Sequence, residues 1–359
     1  MQKQINKLDY KGQNIFTGID AHKKQWTITV MVENVPYKTF SQPSSVDTLY
    51  GYLKKNFPRA NYYSAYEAGF CGFWPHFRLQ ELGVNSIVVN PSDIPTSDKE
   101  KRQKDDPRDS RKIARSLQNG DLKGIYVPSQ STLEDRLLVR TRFTFVKELT
   151  RFKNRVKSLL NLHGITIPEE FGNNRAYWSR RFISWLESIE FTQPSATSAL
   201  QIIISQCKHL RTNQLEITRQ IRKLSKTKKY HKQFKNLISV PGIGPTIAML
   251  ILTEIENIDR FKNLDQLCSF IGLIPSTNSS GDKVRTGDIT PRGHKLLRSL
   301  IVEAAWVAIR NDPALMLCYA NYTKRMDPNK AIIRIAKKLL NRIRYVLKNE
   351  QKYEKALIL

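Results

Sequence analysis

IFTGIDAHKKQWTITVMVE, residues 15–33, is the stretch on which the fold turns. A short apolar run ends on Asp20, a turn follows, and WTITVMVE alternates apolar and polar side chains with the two-residue period of a strand. Working outward, PYKTFSQ (36–42) reads as a strand, SVDTLYGYLKKNF (45–57) as a helix and NYYSAYEA (61–68) as a strand. FWPHFRLQELG (73–83) is helical, SIVVN (86–90) is a strand, and KDDPRDSRKIA (104–114) opens a further helix. A strand-rich start followed by alternating strands and helices predicts an α/β domain whose sheet begins as an antiparallel meander.

Four acids fall at informative places in that pattern. Asp20 closes the first strand and Glu67 lies near the end of NYYSAYEA, while Asp106 and Asp109 open a helix three residues apart, facing one way. Carboxylate oxygens are hard ligands suited to Mg²⁺. Two such ions can clamp the attacking and leaving oxygens of a phosphodiester. Taken singly, each acid has an ordinary explanation, since Asp forms turns at strand ends and caps helices. Taken together, and in the strand and helix order of a ribonuclease-H-like domain, they predict a metal-dependent nuclease centre.

The 359 residues carry 59 Lys and Arg against 32 Asp and Glu, a formal net charge of +27. The cations are spread along the whole chain, which points to a polyanionic partner, because neutralising phosphates releases counterions. A membrane surface fits less well: the chain lacks an amphipathic anchor and any apolar run near the ~18 residues that a span needs. MQKQINKLDYKGQN at the start lacks the apolar core of a secretory signal. Cys71, Cys207, Cys268 and Cys318 are far apart and predict free thiols in a reducing, cytoplasmic setting.

From about residue 134 to 225 the pattern is helical. Phe145, Leu149, Phe152, Val156 and Leu159 form one heptad seam, and Ile203, Cys207, Leu210, Gln214, Ile217, Ile221 and Leu224 form another. The seams can pair within the chain as a hairpin or between chains as a coiled coil. PEEFGNNRAYWSRRFISWLESIEF (168–191) turns the chain between them. The first seam's polar faces bear a basic run that includes Arg136, Arg140, Arg142, Lys147, Arg151 and Arg155. That run reads either as a solvated helix face or as a nucleic-acid track. LISVPGIGPTIAMLILTEI (237–255) has the look of a helix-hairpin-helix, with Gly242 and Gly244 letting backbone amides approach phosphate oxygens. A plain helical turn with a glycine cap is the other reading. STNSSGDKVRTGDITPRGHKLLRSLI (276–301) reads as a polar loop between helices. It presents Ser276, Ser279 and Ser280 beside Lys283, Arg285, Arg292, His294, Lys295 and Arg298. A serine hydroxyl can attack a phosphodiester where cations stabilise the developing charge.

GIDAHKK, YEAGFCG and KDDPRDSRKIA at the front, with VPGIGPTIA, FIGLIPSTNSSGDKVRTGDITPRGHKLLR and LIVEAAW behind, resemble the insertion sequence 110 family of transposases. The likeness is collinear from about residue 14 to 307. It implies a RuvC-like domain over 14–125, a coiled-coil arm over 130–230, a helical transposase domain over 235–325 and a C-terminal helix over 326–359. It also implies that Asp20, Glu67, Asp106 and Asp109 bind Mg²⁺ and that Ser280 is a nucleophile forming a transient 5′-phosphoserine link. The likeness further implies a bridge RNA that selects donor and target DNA, and a dimer or tetramer that completes the site. Lys104, Asp105 and Asp106 run together where the family has Thr-Asp before the third acid. The spacing to Asp109 favours Asp106, with Asp105 as the alternative, and adjacency to Gly281 favours Ser280 over Ser279. Ser110 stands where the family has alanine. The rival activities are a junction-resolving nuclease that uses the acids with water, and a non-catalytic nucleic-acid-binding protein.

Overall fold

The computed structural model describes residues 9–95, 105–172, 177–280 and 283–355, and the chain divides into two compact units, 1–127 and 128–359. No helix among the described residues is long and apolar enough to cross a membrane.

The first unit is a five-stranded sheet in the order β3-β2-β1-β4-β5. β1 (Asn14–Ala21), β2 (Gln25–Val32) and β3 (Val35–Pro43) form the antiparallel meander. β4 (Asn61–Glu67) and β5 (Asn85–Val89) continue in parallel from β1. α1 (Val46–Asn56) and α2 (Trp74–Glu81) link these strands, and α3 (Asp106–Gln118) follows. Central strand β1 is covered on both faces through its middle. Ile15 and Ile19 enter a core with Trp26, Leu49, Leu53 and Leu79. Gly18, on the opposite side of the pleat, faces α3.

Three features seat α3. A Cβ on Gly18 would fall 2.2 Å from the Ser110 carbonyl oxygen and 2.3 Å from the Ala114 nitrogen, so only glycine lets the helix backbone approach so closely. Ser110 is fully buried and meets Thr29 Oγ1 of β2 at 2.9 Å, which in turn meets Thr39 Oγ1 at 2.9 Å. Where an alanine would merely pack, Ser110 thus joins a chain of hydroxyls that runs outward from the buried Thr29 to the half-covered Thr39. Ile113 and Ala114 supply the apolar contact.

In the second unit, α4 (Gln130–Leu162) and α6 (Pro194–Leu224) lie antiparallel against each other, joined through α5 (Arg180–Glu187). The two seams therefore pair within one chain. Toward the tip, Leu149, Val156 and Leu160 meet Leu200, Ile204 and Cys207 around Phe171 and Phe182. The start of the first seam differs from the heptad reading. Val139 and Phe143 are buried, whereas Phe145 is only half-covered, because this end of α4 packs on several helices instead of one partner. That base core also receives α7 (His231–Leu237), α8 (Pro245–Ile255), α9 (Leu264–Ile271), α10 (Lys295–Asn311), α11 (Pro313–Thr323) and α12 (Pro328–Asn349). The C-terminal helix α12 is integral to it, burying Ile332, Ile335, Leu339 and Ile343.

The polar stretch read as a loop is instead a hairpin, with β6 (Pro275–Ser280) antiparallel to β7 (Lys283–Ile289). Val284, Thr286 and Ile289 supply a weak strand preference that the surrounding Ser, Asn and Gly mask in the sequence, and cross-strand pairing then completes the ladder.

Candidate active site

Parallel pairing of β1 with β4, in which Ile19 lies opposite Tyr66, brings Asp20 and Glu67 to the same end of neighbouring strands. Ligands commonly bind at the carboxyl ends of parallel strands, where loops and helix starts converge. α3 delivers Asp106 and Asp109 to that end. His22 Nε2 stands 3.3 Å from Asp20 Oδ2 and 3.3 Å from Asp106 Oδ2. Asp20, His22 and Asp106 each offer a ligand atom, all within 4.8 Å of one another. Asp109 Oδ1 accepts from Lys112 Nζ at 3.1 Å, yet its charge is still felt at Asp20. Glu67 occupies its strand-end position half-covered, outside the three-residue cluster. Asp105 sits exposed at the N-cap of α3 and is also outside it.

Burial raises the Asp20 carboxyl above the ordinary range. His22 opposes this, and the charges of Asp106 and Asp109 add to it. Carboxylates gathered at a half-buried point repel one another, and a divalent cation would relieve that repulsion. Two carboxylates and an imidazole nitrogen suit such an ion. His22 is the residue that the sequence reading missed. Its signal was its place two residues after Asp20, since side chains two apart on an extended chain share a face.

Ser280 is the last residue of β6, opposite Lys283. The side chains of Ser279, Ser280, Lys283 and Arg285 lie outside the described residues. The base of the hairpin is held firmly. Arg298 Nη1 donates to the carbonyls of Gly272 (3.2 Å) and Thr290 (2.6 Å), and the Thr290 amide donates to Ile274 at 3.0 Å. Arg292 and Lys295 flank the N-cap His294 of α10.

Gly242 and Gly244 have different surroundings in the turn between α7 and α8. Gly242 has a φ of +86°, and a Cβ there would lie 2.2 Å from the Ala304 carbonyl of α10, so its bareness serves helix packing. Gly244 caps α8 with open space at its Cβ position.

The basic run on α4 is neither one solvated face nor one track. Arg140 clasps the buried Glu254 of α8 through Nε (2.6 Å) and Nη2 (2.8 Å), Arg136 Nε lies 3.4 Å from it, and His294 Nε2 lies 3.0 Å from it. His294 Nδ1 accepts from the Leu297 amide at 3.1 Å, which leaves Nε2 as the protonated nitrogen even in the neutral ring. Burial alone would raise the Glu254 carboxyl, but the hydrogen bonds from His294 and Arg140 and the charges of His294 and Arg136 outweigh it and hold it at about 2. Arg142 is half-buried and donates from Nε to Thr218 Oγ1 at 3.1 Å. Arg151 pairs with Glu148, and Arg155 lies over the Phe152 ring.

Residues 17–165 match the DEDD transposase model of the IS110 group, and residues 234–320 match the model described as Transposase IS116/IS110/IS902 family. The chain is 28% identical over 244 residues to a Sinorhizobium fredii protein bearing the transposase name y4qE, covering 68% of this chain and 58% of that protein. It is 26% identical over 368 residues to a second protein of that organism, named transposase y4rJ, covering 91% and 90%. Against the transposase for insertion sequence element IS1111A of Coxiella burnetii the identity is 24% over 243 residues, covering 67% and 65%. Both family matches and all three relatives are of one class, the transposases. The chain belongs to the IS110 family of transposases.

Proposed function

We propose that this protein cuts and rejoins DNA to move an insertion sequence, with Asp20, Glu67, Asp106 and Asp109 holding Mg²⁺ and Ser280 acting as nucleophile. The observation that carries the reading is the convergence of Asp20, His22 and Asp106 at the carboxyl end of β1. The strand order of the sheet supports a RuvC-like domain over 14–125. We further assign the arm to 130–230, a transposase domain with a helix-hairpin-helix to 235–325, and a C-terminal helix to 326–359. Bound Mg²⁺ would polarise the phosphodiester and lower the cost of charge on the attacking and leaving oxygens.

The chain's own residues orient that centre. His22 bridges two of its carboxylates, Lys112 holds Asp109, and the Gly18 contact fixes α3. In the strand-transfer step the Ser280 hydroxyl loses its proton and its Oγ bonds to phosphorus. The bond from phosphorus to the 3′ oxygen breaks, and that oxygen takes up a proton. Attack by another strand's 3′-hydroxyl then reverses the step and releases the serine. A guide RNA directing the choice of DNA and assembly as a homo-oligomer complete the reading, and the net charge of +27 is consistent with two nucleic-acid partners.

The test is incubation of purified protein with Mg²⁺, RNA transcribed from the element's flank and labelled junction DNA, followed by denaturing electrophoresis. A protein–DNA adduct is expected that disappears in Ser280→Ala and in Asp20→Asn and on chelation of Mg²⁺. Nicked DNA without an adduct would overturn the serine role in favour of hydrolysis by the acids. Binding without breakage under any metal would remove the catalytic reading.

A further inference from the structure

Arg142 stands apart from the other arginines at the base of the arm. Arg136 and Arg140 share Glu254, whereas Arg142 has no carboxylate partner among the described residues. Its Nε is used by Thr218, its guanidinium lies 5.5 Å from the Phe143 ring centre, and burial depresses its pKa with no counter-charge to compensate. A half-covered cation in that condition gains most from an incoming anion.

Arg142 borders a cleft of about 180 Å³ where α4, α6 and the start of α8 meet, walled also by Thr218, Arg222, Ser225 and Thr246. That is room for about six waters at ~30 Å³ each, ample for a phosphate group with its ester oxygens. Among the described residues no acid lines the cleft. At its α8 side the N-cap Gly244 has no side chain with which to cap the first-turn amides, and Pro245 at the first position has no N–H. Beyond the cleft, the exposed Lys223, Lys226 and Lys228 continue the positive surface along the end of α6 and the following turn, as an extended polyanion would require and a lone ion would not.

We propose that this cleft seats one backbone phosphate of duplex DNA, gripped by Arg142 from α4 and Arg222 from α6 across the N-terminus of α8. The proposal rests on the reading that the chain handles DNA. It makes the first helix turn of the Pro-Gly-Ile-Gly hairpin and the arm a single phosphate clamp.

The test measures binding of the full-length protein to fluorescent duplex DNA across a range of salt concentrations. The variants are Arg142→Gln/Arg222→Gln, Arg222→Gln alone, and Arg219→Gln as a charge-matched control on the same helix, where Arg219 pairs with Glu216. The double variant should lose roughly ten-fold in affinity at fixed salt and about one unit of log–log salt slope, as for one lost phosphate contact. Arg222→Gln, whose side chain is exposed, should show part of that loss with an unchanged melting temperature. Wild-type slope in both clamp variants would overturn the cleft and leave the DNA reading standing. An equal loss in Arg219→Gln would show a general charge effect and also overturn it. Failure of the wild-type protein to bind duplex DNA at low salt would overturn the cleft and the DNA reading together. A slope change seen with single-stranded RNA but not with duplex DNA would overturn the assignment to DNA.

Discussion

At Gly18 the carbon that any other residue would add falls 2.2 Å from the carbonyl of Ser110, so the acids of α3 reach Asp20 only because position 18 is bare. Gly18→Ala is expected to push α3 away, costing about 2 kcal/mol in thermal or urea unfolding, in the range for overpacking a core contact. It should abolish DNA cleavage even at temperatures where the protein remains folded. Gly51→Ala is the control: it lies within α1 with open space at its Cβ, and should stabilise by up to about 1 kcal/mol through helix propensity. At the same centre Asp20→Asn removes a crowded charge, and should end cleavage without lowering the melting temperature. His22→Ala should leave cleavage possible but raise the Mg²⁺ concentration for half-maximal activity by roughly ten-fold, as loss of a supporting metal-site group does. An unchanged Mg²⁺ requirement would leave His22 without a part in the site. Asp20 was legible because an acid ending a strand is conspicuous. His22 was not, because its part depends on where α3 places Asp106.

Among the elements, α8 owes its setting to one buried carboxylate. Glu254 gathers α4 through Arg136 and Arg140 and the start of α10 through His294. Glu254→Gln would leave two guanidinium groups facing a neutral amide and is expected to cost about 3 kcal/mol, read from the urea midpoint. The pH dependence has a definite sign. Because the folded carboxyl sits at about 2, below its ordinary 4.5, the unfolded chain binds the proton more tightly. The contribution is therefore complete above about pH 4.5 and lost as pH falls toward 2, amounting to at most about 3 kcal/mol. Unfolding curves of wild type and Glu254→Gln should converge across that interval, and parallel curves would show that Glu254 is not held so low. The heptad repeat in α4 and α6 made both long helices legible. The inward turn of Arg136, Arg140 and Arg142 was not, since a cation on a helix face reads the same whether it meets water or a carboxylate 114 residues away in sequence. The β6–β7 hairpin escaped for a related reason: its ladder comes from cross-strand pairing that a run of Ser, Asn and Gly does not announce.

For the whole molecule, the division at Val127 and Pro128 leaves each unit with its own cores, those against the sheet in the first, and in the second one at the arm's tip and one around α8, α10 and α12. Residues 128–359 expressed alone should unfold cooperatively, with a midpoint matching one of two calorimetric transitions in the full chain. A fragment without a cooperative transition would show that the second core depends on the first unit.

Composition and pattern by themselves determined the α/β front, the long helical pair, the strongly basic charge and the places of the four acids along the chain. Each of these is written in local periodicity or in charge, and both are properties of neighbours along the chain. Only the tertiary structure decided that the seams pair within the chain, that Gly242 serves packing, that His22 joins Asp20 and Asp106, and which arginines are occupied. These facts depend on which surfaces meet after folding. The close approach of α3 to β1, and of α4 to α8, joins residues that no sequence spacing connects.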